Sequence, residues 1–337
     1  MPVHVSLKGC FASVLLLASL FPCLLFPYPM GMAHAAPVPT SDDSHQVVQT
    51  QLRLAHLTGT EIIRESVKRH ELYPYVFEAQ TLILTDAHKQ HDVRRMQRYS
   101  RMEKDGVFKT KLEFVYPDSI AGTVLLFVHH PDGSGSSRIF LPALGAQLTD
   151  YVGAISGGQI LGSEFSLEDF MPEDMASFVY HRIDDVVVDS RAYFVVRADL
   201  STSSAASDRS YAERILFVRQ DNFFISRVDY FDNKAHLIKR QTSHNIHPVG
   251  GKMWRADMVK VENMLNRHHS ILKIDQRIFS SDYAPESAFD ANLLLVAAKR
   301  KDDARKDHAR KDDARKGADD AAEKPDDAQV TGSEEKP

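Results

Sequence analysis

The sequence predicts a mainly β protein built on ten or eleven antiparallel strands, and three observations carry that expectation. From Tyr75 to Phe279 almost every segment reads as a strand, and the clearest of them alternate apolar and polar residues with a period of two. Consecutive strands are joined by turns as short as Gln220-Asp-Asn222 and Asp232-Asn-Lys-Ala235, which suit antiparallel neighbours and leave little room for crossover helices. A sheet of that many strands usually curls rather than staying open and flat.

At the amino terminus, Lys8 is the only Lys, Arg, Asp or Glu before Asp42 and precedes the apolar run from Phe11 to Phe21. Ala33-His34-Ala35 supplies the small-x-small pattern of a cleavage site, so residues 1–35 read as an export signal cleaved after Ala35. A transmembrane anchor is the weaker alternative, because Pro22, Pro27 and Pro29 interrupt a stretch that needs about 20 apolar residues to span. Both cysteines, Cys10 and Cys23, fall inside the signal, which leaves a cleaved chain without disulfides or thiolate metal ligands.

Residues 36–57 read as a linker with helical character, since Val48, Leu52 and Ala55 lie at i, i+4 and i+7. The folded body is expected over 58–298. It opens on Thr58-Gly-Thr-Glu61, a capping box, ahead of a helix with Ile62, Ile63, Ser66, Val67 and His70 on one face. After Pro74 the period changes to two. Phe108, Thr110, Leu112, Phe114 and Tyr116 alternate with Lys109, Lys111, Glu113 and Val115. Residues 122–129 are apolar on both faces and run into Pro131-Asp-Gly-Ser-Gly135, a turn, with a returning strand at 138–141. Later strands are expected at 177–184, 192–199, 213–219, 223–231, 236–244, 255–263 and 270–279.

The stretch between Leu144 and Met175 breaks the pattern. It carries Gly145, Gly153, Gly157, Gly158 and Gly162 and then a segment in which Phe165, Asp169 and Phe170 fit one turn of helix. Neither glycine spacing for binding phosphates is present, and the residues suit a loop with a short helix covering a cavity. Residues 299–337 form a tail with eleven basic and twelve acidic residues, built on a Lys-Asp-Asp-Ala-Arg repeat. The near balance of charge excludes a polybasic nucleic-acid arm and favours a solvated, disordered tail.

No chemistry-bearing constellation emerges. Of the sixteen histidines, His88 and His91, and His244 and His247, are three apart, whereas His129-His130 and His268-His269 are adjacent and on a strand point to opposite faces. No H-E-x-x-H or G-x-S-x-G motif occurs, so no metal, no cofactor and no catalytic residue is expected. Glu168 and Asp169 read as cap or lid-edge charges. Arg94, Arg95, Arg98 and Arg101, interleaved with Met96, Tyr99 and Met102, suit either contact with anionic head groups or, by preference, the solvated face of a strand.

Four segments in order then carry a family resemblance: Pro117-Asp-Ser-Ile-Ala-Gly-Thr-Val-Leu-Leu126, Ile139-Phe-Leu-Pro-Ala-Leu144, Gly162-Ser-Glu-Phe-Ser-Leu-Glu-Asp-Phe170, and 227–239 with Tyr230, Asp232 and Leu237. Together they resemble the outer-membrane lipoprotein-sorting proteins of the LolA-like type found beside RND/MMPL lipid exporters. The likeness covers most of 61–295 and rests on order and spacing, no segment being diagnostic alone. It implies an α+β architecture: an incompletely closed antiparallel β-barrel with an N-terminal helix and a short lid helix around a hydrophobic cavity. It also implies a periplasmic carrier that binds lipid or lipoprotein acyl chains and hands them on, without covalent chemistry, to an outer-membrane acceptor or an RND/MMPL-type exporter. On this resemblance Gly122, Thr123, Leu141, Pro142 and Leu144 are structural motif residues, and Gly162, Ser163, Phe165, Glu168, Asp169 and Phe170 belong to the lid. Two departures stand out. Gly145-Ala-Gln-Leu-Thr149 lacks the basic residues that family members often carry there, and Glu164-Phe-Ser-Leu-Glu-Asp169 replaces the usual Asp-Phe-Ser-Tyr-Glu-Asp.

An acyl chain gains about 0.8 kcal/mol for each CH2 removed from water, so a carrier needs apolar area more than placed polar groups. The candidate cavity lining is Phe108, Leu112, Phe114 and Tyr116, with Ile215 and Phe217 and with Val259 and Val261. The same alternation also builds an ordinary packed core. A second functional class on the same half-barrel is a non-transporting sensor or interaction module that binds a protein partner. A third, an exported hydrolase, has no side chain to nominate.

Overall fold

A computed structural model describes residues 52–70, 73–132, 134–142, 148–150, 159–201 and 209–296, with 299–300, 303–304, 307 and 310–311 of the tail. The expected export signal and its cleavage after Ala35, most of the linker and the motif residue Leu144 lie outside the described residues, as does most of the glycine-rich run 143–158. The tail residues that are described have helical backbone.

The fold is mainly β. Its strands are β1 (Tyr75–Thr85), β2 (His91–Met102), β3 (Phe108–Tyr116), β4 (Val124–His129), β5 (Gly135–Phe140), β6 (Leu148–Asp150), β7 (Phe178–Arg182), β8 (Val186–Val188), β9 (Arg191–Leu200), β10 (Glu213–Arg219), β11 (Ile225–Phe231), β12 (Leu237–Gly250), β13 (Met253–Asn263) and β14 (His269–Ile278). They form one antiparallel sheet in the order β6-β5-β4-β3-β2-β1-β14-β13-β12-β11-β10-β9-β7, with β8 paired to β9. Nearly all neighbours are consecutive in the chain, as the short turns require, and the pairing of β1 with β14 joins its two halves. β6 and β7 remain separate edges, so the barrel is incompletely closed. The strand number exceeds the ten or eleven expected partly because β6 and β8, three residues each, are too short to display a period.

Two apolar clusters fill the concave side. The first joins Leu82, Met96, Leu112, Phe114, Leu125 and Phe127 of β1 to β4 to Val261 and Leu272 of β13 and β14. The second joins Phe194, Val196, Leu216, Val218 and Val228 of β9 to β11 to Ile62 and Ile63 of helix α1 (Gly59–His70). The start of α1 follows from its sequence. The Thr58 amide donates to Glu61 Oε2 at 2.8 Å, and the Glu61 amide donates back to Thr58 Oγ1 at 3.3 Å, the reciprocal pair of a capping box. Just before it, Arg182 Nη1 donates to the carbonyls of Leu54, Ala55 and Leu57, satisfying the end of a helical turn over 52–55. On the convex side, Ala284 and Phe289 pack over Leu126, Tyr75 and Tyr99.

Candidate functional site: a plugged half-barrel

The first cluster is completed not by a strand but by a loop. Ile160, Phe165, Leu167 and Phe170 enter the concave face and are almost wholly buried. The short helix expected here is a single 3-10 turn, Leu167–Phe170. Asp169 closes that turn by accepting from the Ser166 amide at 2.7 Å and the Ser166 hydroxyl at 3.0 Å. Gly162 takes φ +77°, a left-handed conformation that glycine adopts without steric cost, and this turns the chain into the barrel.

Among the described residues, the backbone hydrogen bonds of 160–171 stay within the loop. Side chains of the barrel hold it instead. Arg94 Nη1 donates to the Leu161 carbonyl, and Arg98 Nη2 donates to the Phe170 carbonyl at 2.9 Å. Ser270 Oγ receives the Glu164 amide at 3.0 Å, Asn263 Nδ2 donates to Glu164 Oε2 at 2.9 Å, and Lys239 Nζ donates to Asp169 Oδ2 at 2.7 Å. Arg94 and Arg98 therefore correct the preference for a solvated basic face: with Met96 between them, they share the concave side of β2 and reach into the loop. Glu78 anchors Arg98 from β1. Burial alone raises its carboxyl, yet Arg98 and Arg277 together hold it below its ordinary value.

Beside the loop lies a cavity of about 270 Å³, close to the lower end of ordinary ligand pockets at roughly 300 Å³. Phe127 of β4 lines one side and Leu216, Val228 and Tyr230 of β10 and β11 the other, so strands far apart in the sheet order meet across it. Its remaining wall is charged. Arg214 Nη1 donates to Glu173 Oε2 at 3.3 Å, and its Nη2 donates to Glu173 Oε1. The Tyr211 hydroxyl donates to Glu168 at 2.6 Å and the Tyr180 hydroxyl to Glu173 at 2.5 Å. Burial, with these carboxylates, pushes both phenols far above their ordinary value, so they remain donors. Burial opposes the charge of Arg214, but Glu173 and its neighbours more than offset it and hold the guanidinium ionised.

The candidate lining residues divide. Leu112, Phe114 and Val261 sit in the first cluster with Val259 at its margin, and Phe108 is buried at the far end of β3 outside that cluster. Tyr116 does not face inward. The pairing of β2 with β3 shifts between Arg95 and Met96, opposite Tyr116 and Phe114, and this bulge carries Tyr116 to the convex side, 47% exposed, under the Arg95 guanidinium. Ile215 and Phe217 also point away: Arg214, Leu216 and Val218 are the buried alternation of β10, while Phe217 carries the Arg227 guanidinium on its ring. Leu141 packs on the first cluster, Pro142 lies against Gly122, and the carbonyl of buried Thr123 accepts the Phe114 amide. Phe165 and Phe170 plug the barrel, Ser163 is buried with them, and Glu168 and Asp169 join the charged wall. Sequence reasoning missed Arg209 and Arg214, whose charge argued against an inward position.

The model of a family described as uncharacterized protein, of the DUF1329 type, matches residues 106–294, more than half of the chain. The chain belongs to this family. Solved structures share the LolA-like fold. A domain described as an outer membrane lipoprotein-sorting protein from Vibrio parahaemolyticus is 23% identical with a TM-score of 0.65, covering 70% of this chain and 98% of its own. A DUF1329 family protein from Desulfovibrio piger is 17% identical with a TM-score of 0.61, covering 69% and 98%. A LolA superfamily protein from Nitrosomonas europaea is 17% identical with a TM-score of 0.53, covering 67% and 99%. No curated protein sequence matches. The chain thus shares the LolA-like fold, with the concave face occupied by its own loop.

Proposed function

We propose that the protein is a periplasmic carrier that binds acyl chains of lipids or lipoproteins in the half-barrel and passes them to an outer-membrane acceptor or an exporter. One observation carries the reading: the apolar plug of Phe165, Leu167 and Phe170 is tied to the barrel by side chains and not by sheet hydrogen bonds. A plug attached in this way is replaceable by another apolar group without breaking a strand pairing. Burying each of the three side chains contributes about 1.5–3 kcal/mol, and each buried CH2 of a ligand about 0.8 kcal/mol. Exchange therefore breaks even at roughly six to eleven methylenes, within the length of a membrane acyl chain. The resemblance of the signal-like amino terminus to an export sequence supports the periplasmic setting.

Mass spectrometry of lipid extracted from the purified protein, with displacement of an environment-sensitive fluorescent dye by amphiphiles of increasing chain length, tests this. Saturable displacement is expected to set in near ten carbons and strengthen with length. Absence of both bound lipid and saturable displacement refutes the carrier.

A further inference from the structure

The two carboxylates of the plug sit among buried cations of the barrel. Glu168 Oε1 accepts from the Tyr211 hydroxyl at 2.6 Å and lies 3.6 Å from Arg209 Nε and 3.7 Å from Arg214 Nη1. Asp169 Oδ2 accepts from Lys239 Nζ at 2.7 Å, and its Oδ1 accepts from the Tyr230 hydroxyl at 3.3 Å. The side chains of Arg209 and Arg214 are only 7% and 5% exposed, so their counter-charge comes from the protein and not from water. Toward the barrel, residues 165–170 present the parts of an amphiphile: an apolar body of Phe165, Leu167 and Phe170 and an anionic end of Glu168 and Asp169.

An acyl chain that replaces the plug, as the carrier reading requires, takes both of those carboxylates away. Arg209, Arg214 and Lys239 then face Glu173 and Asp174. Glu173 is held by Tyr180 of β7 and by Arg214, and Asp174 by the Ser177 hydroxyl and the Ala176 amide, all bonds outside the displaced turn. The surplus of charge changes from negative to positive, and Tyr211, Tyr230 and Lys239 lose their acceptors at the same moment. Buried cations and donors left without partners are costly. An uncharged ligand leaves that cost in place, a cationic one adds repulsion, and an anionic one restores what the turn supplied. Idle donors point the same way. Among the described residues Arg209 Nε and Nη1 and Arg214 Nε have no hydrogen-bond partner even with the turn seated, so the site offers more donors than Glu168 satisfies.

We propose that Arg209, Arg214 and Lys239, with the Tyr211 and Tyr230 hydroxyls, receive the anionic head group of an amphiphile, carboxylate or phosphate, in the place that Glu168 and Asp169 occupy in the plugged barrel. This deepens the carrier reading and rests on it. The test is dye displacement from the whole chain by four amphiphiles of one chain length, each below its micelle concentration at mildly alkaline pH: the fatty acid, the monoacyl phosphatidylglycerol, the monoacylglycerol and the alkyltrimethylammonium. At least one anion is expected to bind about tenfold more tightly than the monoacylglycerol, the worth of one charge-assisted hydrogen bond, and the ammonium more weakly than it. Which anion is preferred distinguishes carboxylate from phosphate. Lys239→Met and Arg209→Met each leave two cations against two carboxylates, and each is expected to cut the preference to within about threefold. Loosening of the plug by either substitution changes every affinity by one factor, so the ratio of anion to monoacylglycerol reads the head group alone. A monoacylglycerol or ammonium that matches or exceeds both anions in the unaltered protein overturns the proposal, whatever the variants' folding, as does a preference that survives both substitutions. If all four bind alike, the carrier stands and the head-group site falls; if none displaces the dye, both fall.

Discussion

Arg98→Met isolates the attachment of the plug. In the folded protein Arg98 donates to the Phe170 carbonyl at 2.9 Å and stands 5.8 Å from the centre of the Phe170 ring, so the methionine removes one charge-assisted hydrogen bond and a weak ring contact while keeping most of the apolar stem. Such a hydrogen bond contributes about 1.5–3 kcal/mol. Glu78 keeps Arg277 at 2.6 Å and Gln80 at 2.6 Å, so its charge is not stranded by the change. Taking about 1.5–2 kcal/mol as the loss to the seated loop, the fraction of molecules with the loop displaced rises roughly ten- to thirtyfold. On the proposed carrier reading ligand and plug compete for one face, so apparent affinity for an acyl chain is expected to rise by up to the same factor. Dye displacement reads the affinity, and hydrogen exchange of the amides of 160–171 reads the opening. The two measurements are expected to move together. An affinity that is unchanged or weaker, with faster exchange in the loop, refutes competition between plug and ligand; unchanged exchange refutes the attachment.

Three further outcomes follow from the geometry. Leu216→Ala, on the buried face of β10, is expected to cost about 2–5 kcal/mol in urea denaturation and Ile215→Ala about 1 kcal/mol; equal costs contradict the inward assignment of Leu216. Gly59→Ala places a Cβ 2.7 Å from the Arg182 amide nitrogen and 2.8 Å from the backbone of His181, so α1 must withdraw from β7 at about 1–3 kcal/mol, read as a lower Tm. Burial, aided by Arg255, pushes His70 down to about 4 from its ordinary 6.5, and its Nδ1 accepts the Trp254 amide at 3.1 Å. The unfolded chain then binds a proton between pH 6.5 and 4 that the fold does not, so this contribution is full above pH 6.5 and is lost as pH falls toward 4. His70→Gln keeps an acceptor without the titration, and the urea midpoint is expected to fall less steeply over that window.

Much of this architecture was legible along the chain because it is local. The period of two in β3, the turns at 220–222 and 232–235 and the Thr58 to Glu61 capping box depend on neighbours a few residues apart, and local sterics and hydrogen bonding decide them. The apolar loop with Phe165 and Phe170 was also visible, although not that it would seat as a 3-10 turn inside the barrel.

Direction and partnership belong to the assembled sheet. β10 runs Arg214-Ile-Leu-Phe-Val218 with apolar residues on both faces, so alternation alone does not choose an inside; packing against α1 and across the cavity turns Leu216 and Val218 inward and brings Arg214 with them. One bulge in the pairing of β2 with β3 reverses Tyr116, because a single-residue shift exchanges the faces of a strand. Arg98 reads as one more cation on a basic strand until the fold brings it to the carbonyl of Phe170, where a charge that periodicity assigns to water instead holds the plug. The residues set which segments become strands and which loop is apolar enough to bury; only three-dimensional closure, pairing groups far apart in the chain, decided which of them hold that loop.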